Sequence, residues 1–222
     1  MHEIPYIDVH THHSLQVDGV ISVLNCFPEQ LIDSNHSGRP VSIGLHPWHA
    51  GNENTDTLLD LVRKWAEKEH VLAIGEIGLD RVCSTPLTIQ EKCFLQQIEI
   101  AERLNKAIVI HCVRSFPELL VIKKRTKAST PWLIHGFRGN KHIAESLLNQ
   151  NCFLSFGEAL LFDQKLQVLF KTIPLNHIFL ETDESKHSII EIYQKAAELK
   201  KVQVLSLKRS LLNNYKAVFN RE

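Results

Sequence analysis

Histidines and carboxylates recur along this chain at positions from which they could hold a metal ion. His10 and His12 are separated by one residue, at the end of an apolar run. In an extended chain, residues two apart project to the same side, so both imidazoles could face one ion. The spacing alone equally allows a pair of packed or solvent-exposed histidines.

Glu76 is a stronger candidate because its neighbours are apolar residues and glycines, in the segment AIGEIGLD. A carboxylate in such a run is costly to bury without a partner, and a metal ion would offset that cost. The alternative is a glutamate that ends a strand near an arginine. Asp80 follows and could either orient a ligand histidine or cap a turn.

Three further candidates end apolar runs in the same way. His111 and His135 occupy matching positions after neighbouring runs, and Asp183 follows a third. Mixed imidazole and carboxylate ligands suit zinc, manganese or iron better than calcium. The complete candidate ligand set is His10, His12, Glu76, His111, His135 and Asp183. His46, in the segment GLHPWH, either contacts a substrate or is structural.

The elements that must position these residues alternate between short apolar runs and amphipathic stretches. The predicted strands are 6–9, 19–24, 41–45, 71–77, 107–111, 132–135, 152–156 and 178–181. Helices are predicted at 57–68, 88–105, 141–149, 164–172, 188–200 and 205–219, with one more after Ser115. Thr88 and Glu91 form a capping-box pattern, and Ser115 with Glu118 forms a second.

Eight strands alternating with helices predict an α/β fold of the TIM (β/α)₈ barrel type, as a single domain over 1–222. Active sites of such barrels lie at the carboxyl ends of the strands, where the candidate ligands fall. Only about ten residues separate the first two runs, whereas a parallel crossover normally needs about a dozen or more. We therefore expect a distorted barrel with a shortened first βα unit.

Composition limits the class of protein. The 222 residues carry a formal net charge of +0 and are 44% hydrophobic. This argues against a protein whose affinity depends on a broad basic face, although it does not exclude a nucleic-acid substrate. The five cysteines include no CxxC pair, which indicates a reducing, cytoplasmic location. No signal peptide, membrane span or obligate protein partner is expected.

Several segments together resemble the TatD family of metal-dependent hydrolases. They are IDVHTHH, SIGLHPWHA, LAIGEIGLD, IVIHCVR, LIHGFRG and FLETD, with the helix bearing Gln90, Phe94, Gln97 and Ala101 and a closing helix at 213–219. The resemblance covers nearly the whole chain and keeps the order of the motifs. It implies a distorted TIM barrel of the amidohydrolase superfamily.

The resemblance also implies one or two divalent metal ions per chain, Zn, Mn or Mg. By analogy His10 and His12 bind the first ion, His111 and His135 bind the second, and Glu76 bridges them. Asp183 would bind the first ion and serve the attacking water. Family members are described as deoxyribonucleases that often act on single strands.

The chain departs from the family pattern near the substrate cleft. The proline that usually follows the ETD motif is absent, and the long loop after Asp183 is nearly missing. The arginine that usually follows the strand-five histidine stands one place later, at Arg114. These changes bear on the substrate, single-stranded DNA included, more than on metal binding.

The hypothesis from sequence is therefore metal-assisted hydrolysis of a phosphoester, with Asp183 and Glu76 as catalytic residues. A bound metal lowers the pKa of water from 15.7 towards about 7, and Asp183 would take its proton. His46, Arg114 and Arg138 could hold a phosphate, although both arginines could be ordinary surface residues. The alternatives are hydrolysis of an amide, lactone or carboxylic ester, and a binding barrel without catalysis.

Overall fold

The structure is a computed structural model that describes residues 3–31 and 38–219. The chain divides into two compact units. We call Met1–Leu24 with His135–Glu222 the terminal unit, and Asn25–Ile134 the central unit. The expectation of a single domain over 1–222 remains a prediction.

From residue 41 onwards, each strand is followed by one or two α-helices, as the sequence predicts. The strands are β1 Tyr6–Thr11, β2 Val20–Cys26, β3 Val41–Ile43, β4 Val71–Asp80, β5 Ala107–Val113, β6 Trp132–Ile134, β7 Phe153–Phe156 and β8 Ile178–Leu180. The α-helices are α1 Thr55–Ala66, α2 Leu87–Leu104, α3 Phe116–Thr126, α4 Lys141–Leu148, α5 Ala159–Phe162, α6 Gln164–Thr172, α7 Ile189–Lys200 and α8 Val204–Phe219. The short helix α5 has no counterpart among the predicted elements.

In the central unit, β3, β4, β5 and β6 pair in parallel and in chain order. All ten residues of β4 are buried. Strands of parallel sheets are covered on both faces, which explains why their sequences are continuous apolar runs and do not alternate. A charged side chain inside such a strand, such as Glu76, therefore stands out.

In the terminal unit, β1 pairs with β2 and β7 pairs with β8, again in parallel. Tyr193 of α7 fixes β1, since its hydroxyl accepts from Ile7 N at 3.0 Å and donates to Ile7 O at 3.1 Å. Asn214 of α8 donates to the carbonyl oxygens of Leu175 and Ile178. The two C-terminal helices thus hold the ends of the strands that flank the candidate site.

The connection between β1 and β2 contains no helix. Residues 12–19 form an irregular segment and a turn between Thr11 and Val20. This confirms the prediction of a shortened first βα unit, because eight residues are too few for a helical crossover.

The helix starts differ from the predicted caps. The capping box at Thr88 and Glu91 is wrong: α2 begins at Leu87, after Pro86, and no side chain caps it. The fixed φ of proline already suits a helix start, so Thr88 falls inside the first turn. Ser115 does precede α3, but its hydroxyl donates to Val113 O and does not accept from the helix. A complete capping box occurs at Ser188 and Glu191, at the start of α7.

Two of the parallel ladders contain one extra residue beside a candidate ligand. Three steps along β1 match two along β2, and three steps along β4 match two along β5. The bracketing pairs are Asp8 with Ser22 and Thr11 with Leu24, and Ile74 with Ile108 and Ile77 with Ile110. His10 and Glu76 lie inside these irregular stretches. Such β-bulges redirect side chains and are common beside active sites.

Close strand packing explains two glycines of β4. A Cβ atom at Gly75 would lie 2.6 Å from Val109 Cβ, and one at Gly78 would lie 2.0 Å from the carbonyl oxygen of His111. Gly78 also has a φ of +145°, which side chains rarely tolerate. The GEIG pattern around Glu76 therefore permits β5 to approach β4 closely.

Candidate metal centre

The terminal unit brings His10, His135 and Asp183 together. One potential ligand atom from each lies within 4.8 Å of the others. His10 is completely buried, and its ring centroid lies 4.4 Å from that of His135. Nε2 of His10 lies 3.7 Å from Asp183 Oδ1, and Nε2 of His12 lies 3.5 Å from the same oxygen. Four of the six candidate ligands thus meet within one unit.

Backbone contacts between the two ends of the chain build this cluster. Asp183 N donates to His10 O, and His12 N donates to Asp183 O, both at 3.0 Å. Asp183 adopts a φ of 54°, in the left-handed region that aspartate tolerates better than most residues. Below the cluster, the buried Asp8 accepts from Thr182 N and Oγ1. Burial raises the pKa of Asp8 to about 7, although the Thr182 hydrogen bonds lower it.

Glu181 belongs to this cluster, and the sequence analysis did not single it out. It is 1% exposed, accepts from Gly136 N at 2.6 Å, and lies 3.6 Å from His135 Nδ1. Burial opposes its charge, but His135 and His10 hold its pKa below the usual range. The sequence did contain a signal for Glu181, since like Glu76 it is a carboxylate in an apolar run.

The central unit assembles a second set, His46, Glu76 and His111, whose potential ligand atoms also lie within 4.8 Å of one another. Glu76 Oε1 lies 2.8 Å from His111 Nδ1 and 3.4 Å from His46 Nε2. Glu76 is 6% exposed, so its charge depends on these neighbours. Asn25 Nδ2 approaches its other oxygen at 3.5 Å.

Asp80 contacts a candidate ligand histidine and also caps a turn. Its Oδ2 lies 3.1 Å from His111 Nε2 and accepts from Trp48 Nε1 at 2.7 Å. Its Oδ1 accepts from Val82 N at 2.7 Å and so stabilises the turn after β4. Burial opposes the charged form of Asp80, but the hydrogen bonds from Trp48 and Val82 and the contact with His111 hold its pKa below the usual value.

Two buried glutamines of α2 hold the backbone that carries this second set. Gln97 accepts from Leu45 N at 2.7 Å and donates to Leu45 O at 3.1 Å, next to His46. Gln90 makes the equivalent pair of bonds with the backbone of Asp80, at 2.7 and 2.9 Å. Both glutamines are part of the helix motif recognised in the sequence, and in the structure they bond to the backbone of Leu45 and Asp80.

His46 faces Glu76 through Nε2, while its Nδ1 accepts from Trp48 N at 3.3 Å. An accepting Nδ1 places the ring proton on Nε2, which makes Nε2 a donor. This arrangement suits a residue that donates to an anion better than one that ligates a metal. The substrate-binding role of His46 remains a prediction.

The assignment of ligands to two ions also remains a prediction. The structure places His135 with His10 and Asp183 in the terminal unit, and His111 with Glu76 and His46 in the central unit. The expected sharing of one ion by His111 and His135, and the bridging role of Glu76, join residues of different units.

The two candidate phosphate-binding arginines are both exposed. Arg138 lines a cavity of about 520 Å³ in the terminal unit. Asp183, Glu181, Lys186 and His187 line the same cavity. Arg114 has a φ of 52°, and its carbonyl oxygen accepts from Arg81 Nε at 3.2 Å. Arg138 is thus placed beside a candidate ligand, and the role of Arg114 rests on sequence position.

All five cysteines, at 26, 83, 93, 112 and 152, are free. Among the described residues, no helix is both long and apolar enough to cross a bilayer.

The chain is similar to known proteins in sequence. A family model described as TatD related DNase matches residues 30–220. The chain is 32% identical to the uncharacterized metal-dependent hydrolase YabD of Bacillus subtilis over 146 residues, which are 64% of this chain and 57% of YabD. It is 29% identical to the 3′-5′ ssDNA/RNA exonuclease TatD of Pectobacterium atrosepticum over 152 residues, 63% of this chain and 55% of that protein. The chain therefore spans little more than half the length of these relatives.

Among solved structures, the TatD homologue YjjV of Escherichia coli matches with a TM-score of 0.83 at 22% identity. The match covers 97% of this chain and 98% of YjjV. At that identity it shows the fold alone, and it confirms the predicted α/β fold of the TIM-barrel class.

Proposed function

The chain belongs to the TatD-related DNase family, and we propose on that basis that it is a metal-dependent hydrolase of phosphoester bonds. One observation carries the proposal: in the terminal unit His10, His135 and Asp183 bring potential ligand atoms within 4.8 Å of one another, and in the central unit Glu76 and His111 do so beside His46. The relatives named above are a metal-dependent hydrolase and an exonuclease.

The donor chemistry fits a divalent metal. Neutral imidazoles and anionic carboxylates together are typical ligands of zinc and manganese, and carboxylates also suit magnesium. Of the six proposed ligands, His10 and Glu76 are buried, and burial strengthens the attraction between such donors and a cation. A bound divalent ion supplies Lewis acidity and lowers the pKa of a water molecule.

Residues of the chain would accept a proton, orient the ligand histidines and bind a phosphate. The Asp183 side chain is 42% exposed, so it can reach a water at the mouth of the cavity and accept its proton. Glu181 and Asp80 hold His135 and His111 in fixed orientations from behind. Arg138, on the same cavity as Asp183, is placed to donate to a non-bridging phosphate oxygen.

We propose single-stranded DNA as the substrate to test first. The choice is supported by a relative, TatD of Pectobacterium atrosepticum, which is named a 3′-5′ ssDNA/RNA exonuclease. The connection from Asp183 to α7 comprises only residues 184–188, and the same test shows whether so short a connection permits DNA binding. The five free cysteines support the further proposal that the protein works in the cytoplasm, where thiols stay reduced.

The first prediction tests the metal centre. Glu76→Gln and Asp183→Asn should each reduce metal-dependent hydrolysis of single-stranded DNA by at least about 100-fold, because each removes a charged ligand. The measurement pairs the metal content of purified protein, by mass spectrometry, with turnover under added Mg²⁺, Mn²⁺ and Zn²⁺.

Glu145→Gln provides the matched control, since Glu145 is an exposed residue of α4 paired only with Lys141 in the described ion pairs. Circular dichroism should show the same helix content in all three variants. Wild-type turnover and metal content in Glu76→Gln would contradict the proposal. Hydrolysis of lactones or amides without cleavage of any phosphoester would replace it with the amidohydrolase alternative.

A further inference from the structure

Trp48 is a large aromatic side chain that remains 57% exposed. Of the other two tryptophans, Trp132 is fully buried and Trp65 is partly buried. Burial of an indole contributes substantially to folding, so an exposed one gives up that stabilisation. Exposure alone is common among surface residues, so the contacts that hold this ring are the more informative feature.

Three contacts fix the Trp48 ring and its backbone. Its Nε1 donates to the buried Asp80 Oδ2 at 2.7 Å. Its ring stands edge-to-face against His46, with centroids 4.8 Å apart and an interplanar angle of 85°. Its carbonyl oxygen accepts from Thr85 Oγ1 at 3.4 Å. A ring that is already ordered loses little conformational entropy when a ligand binds to it.

The ring is also adjacent to the second donor set. The Asp80 oxygen that accepts from Trp48 lies 3.1 Å from His111 Nε2. The ring centroids of Trp48 and His111 lie 6.4 Å apart. A planar group stacked on Trp48 would therefore be within one nucleotide's length of His46, Glu76 and His111.

From this placement we propose that Trp48 is a stacking platform for a nucleobase of the substrate. The proposal rests on the phosphoesterase function proposed above and adds the recognition of an aromatic base. A chain with a net charge of +0 has no broad excess of cations with which to bind a phosphate backbone. Stacking supplies affinity that depends neither on net charge nor on base identity.

The competing explanation is that Trp48 serves only as a hydrogen-bond donor to Asp80. Two variants separate the functions of the side chain. Trp48→Phe keeps an aromatic face and loses the N–H donor, whereas Trp48→Gln keeps an N–H donor and loses the aromatic face. A stacking role predicts that Phe is the better replacement, and a donor role predicts that Gln is.

The experiment measures binding to the metal-free protein in EDTA, so that no turnover occurs. The probes are a labelled five-nucleotide thymidine oligomer and a series of the same length in which each position in turn is abasic. Wild type should bind the intact oligomer more tightly than at least one abasic form, on the order of tenfold for one stacked base. Trp48→Phe should keep most of this preference, and Trp48→Gln should bind all oligomers equally.

Val121→Gln is the matched control, because Val121 is an apolar side chain of α3 with 61% exposure. Thermal melting verifies that every variant folds. A base preference that survives in Trp48→Gln, or that wild type lacks at every position, overturns the stacking platform. If wild type prefers the base but hydrolyses no phosphoester when metal is added, stacking stands and the proposed hydrolysis fails.

Discussion

Two candidate ligand histidines are each held by a carboxylate that is itself almost fully buried. Asp80 lies against His111, and Glu181 lies against His135. A carboxylate behind a ligand histidine fixes its tautomer and ring orientation and increases its basicity. The cost of burying each acid is offset by backbone donors, Val82 N for Asp80 and Gly136 N for Glu181.

Asp80→Asn should therefore weaken metal binding without removing a ligand. We expect a loss of about 10- to 100-fold in metal affinity, because the uncharged amide supports the imidazole less well. Competition with a chromophoric chelator measures this affinity directly. Asp60→Asn, on the exposed face of α1, is the control, and an unchanged affinity in Asp80→Asn would show that Asp80 serves only the turn.

The sequence predicts which residues belong to the candidate site more readily than it predicts which residues they contact. Glu76 was identified because a carboxylate in an apolar run needs a reason to be buried, whereas His10 and His12 were identified from their spacing and Asp183 from its position after an apolar run. Glu181 meets the same criterion but stands beside the more recognisable Asp183. The contact between Asp80 and Trp48 spans 32 residues, and no local pattern encodes it.

Helix α2 fixes the backbone of Leu45 and Asp80, which lie beside the second donor set. Its buried Gln97 satisfies both backbone polar groups of Leu45, and Gln90 does the same for Asp80. Such buried polar groups are expensive to leave without hydrogen bonds. The amphipathic pattern of α2 predicted a helix here, but a glutamine on its buried face required a partner that only the folded chain supplies.

Gln97→Leu should destabilise the protein by about 2–4 kcal/mol, since it leaves the N–H and C=O of Leu45 unsatisfied in the interior. Urea denaturation measures this loss. Glu99→Gln, on the exposed face of α2, is the control. A change below about 0.5 kcal/mol in Gln97→Leu would mean that water replaces the amide.

Strand and helix positions followed from periodicity, with ends that differ by only a few residues. The extra residues in β1 and β4 could not be predicted from periodicity, because a bulge depends on pairing between two strands. The failed capping box at Thr88 has a local cause, because Pro86 occupies the N-cap position and Thr88 falls inside the first turn of α2.

For the whole molecule, the balanced net charge predicts that the affinity for single-stranded DNA depends only weakly on salt concentration. If Arg114 and Arg138 each contact one phosphate, the slope of log K against log salt for single-stranded DNA should be about −1.4. Arg138→Gln should reduce its magnitude by about 0.7. Titrations of the metal-free protein between low and physiological salt test this, with Arg63→Gln, which pairs with Asp60, as the control. A slope several times steeper would reveal a basic surface that net charge does not indicate.

The basic run at 123–127 is a poor candidate for such a surface. Lys123 donates to Ala128 O and lies 4.6 Å from the Trp132 ring centroid, while Arg125 pairs with Glu91 at 2.7 Å. These side chains end α3, where cations suit the helix dipole.

The backbone bridge between Thr11 and Asp183 has a consequence for biosynthesis. Asp8 and Thr182, which bond just beneath it, are 174 positions apart in the chain. During translation from the N-terminus, the ribosome has made His46, Glu76 and His111 about seventy residues before it reaches Asp183. The imidazoles of His10 and His12 cannot meet Asp183 until the ribosome has added the 171 residues that follow His12, so the proposed metal site of the terminal unit can form only after Asp183 has been made.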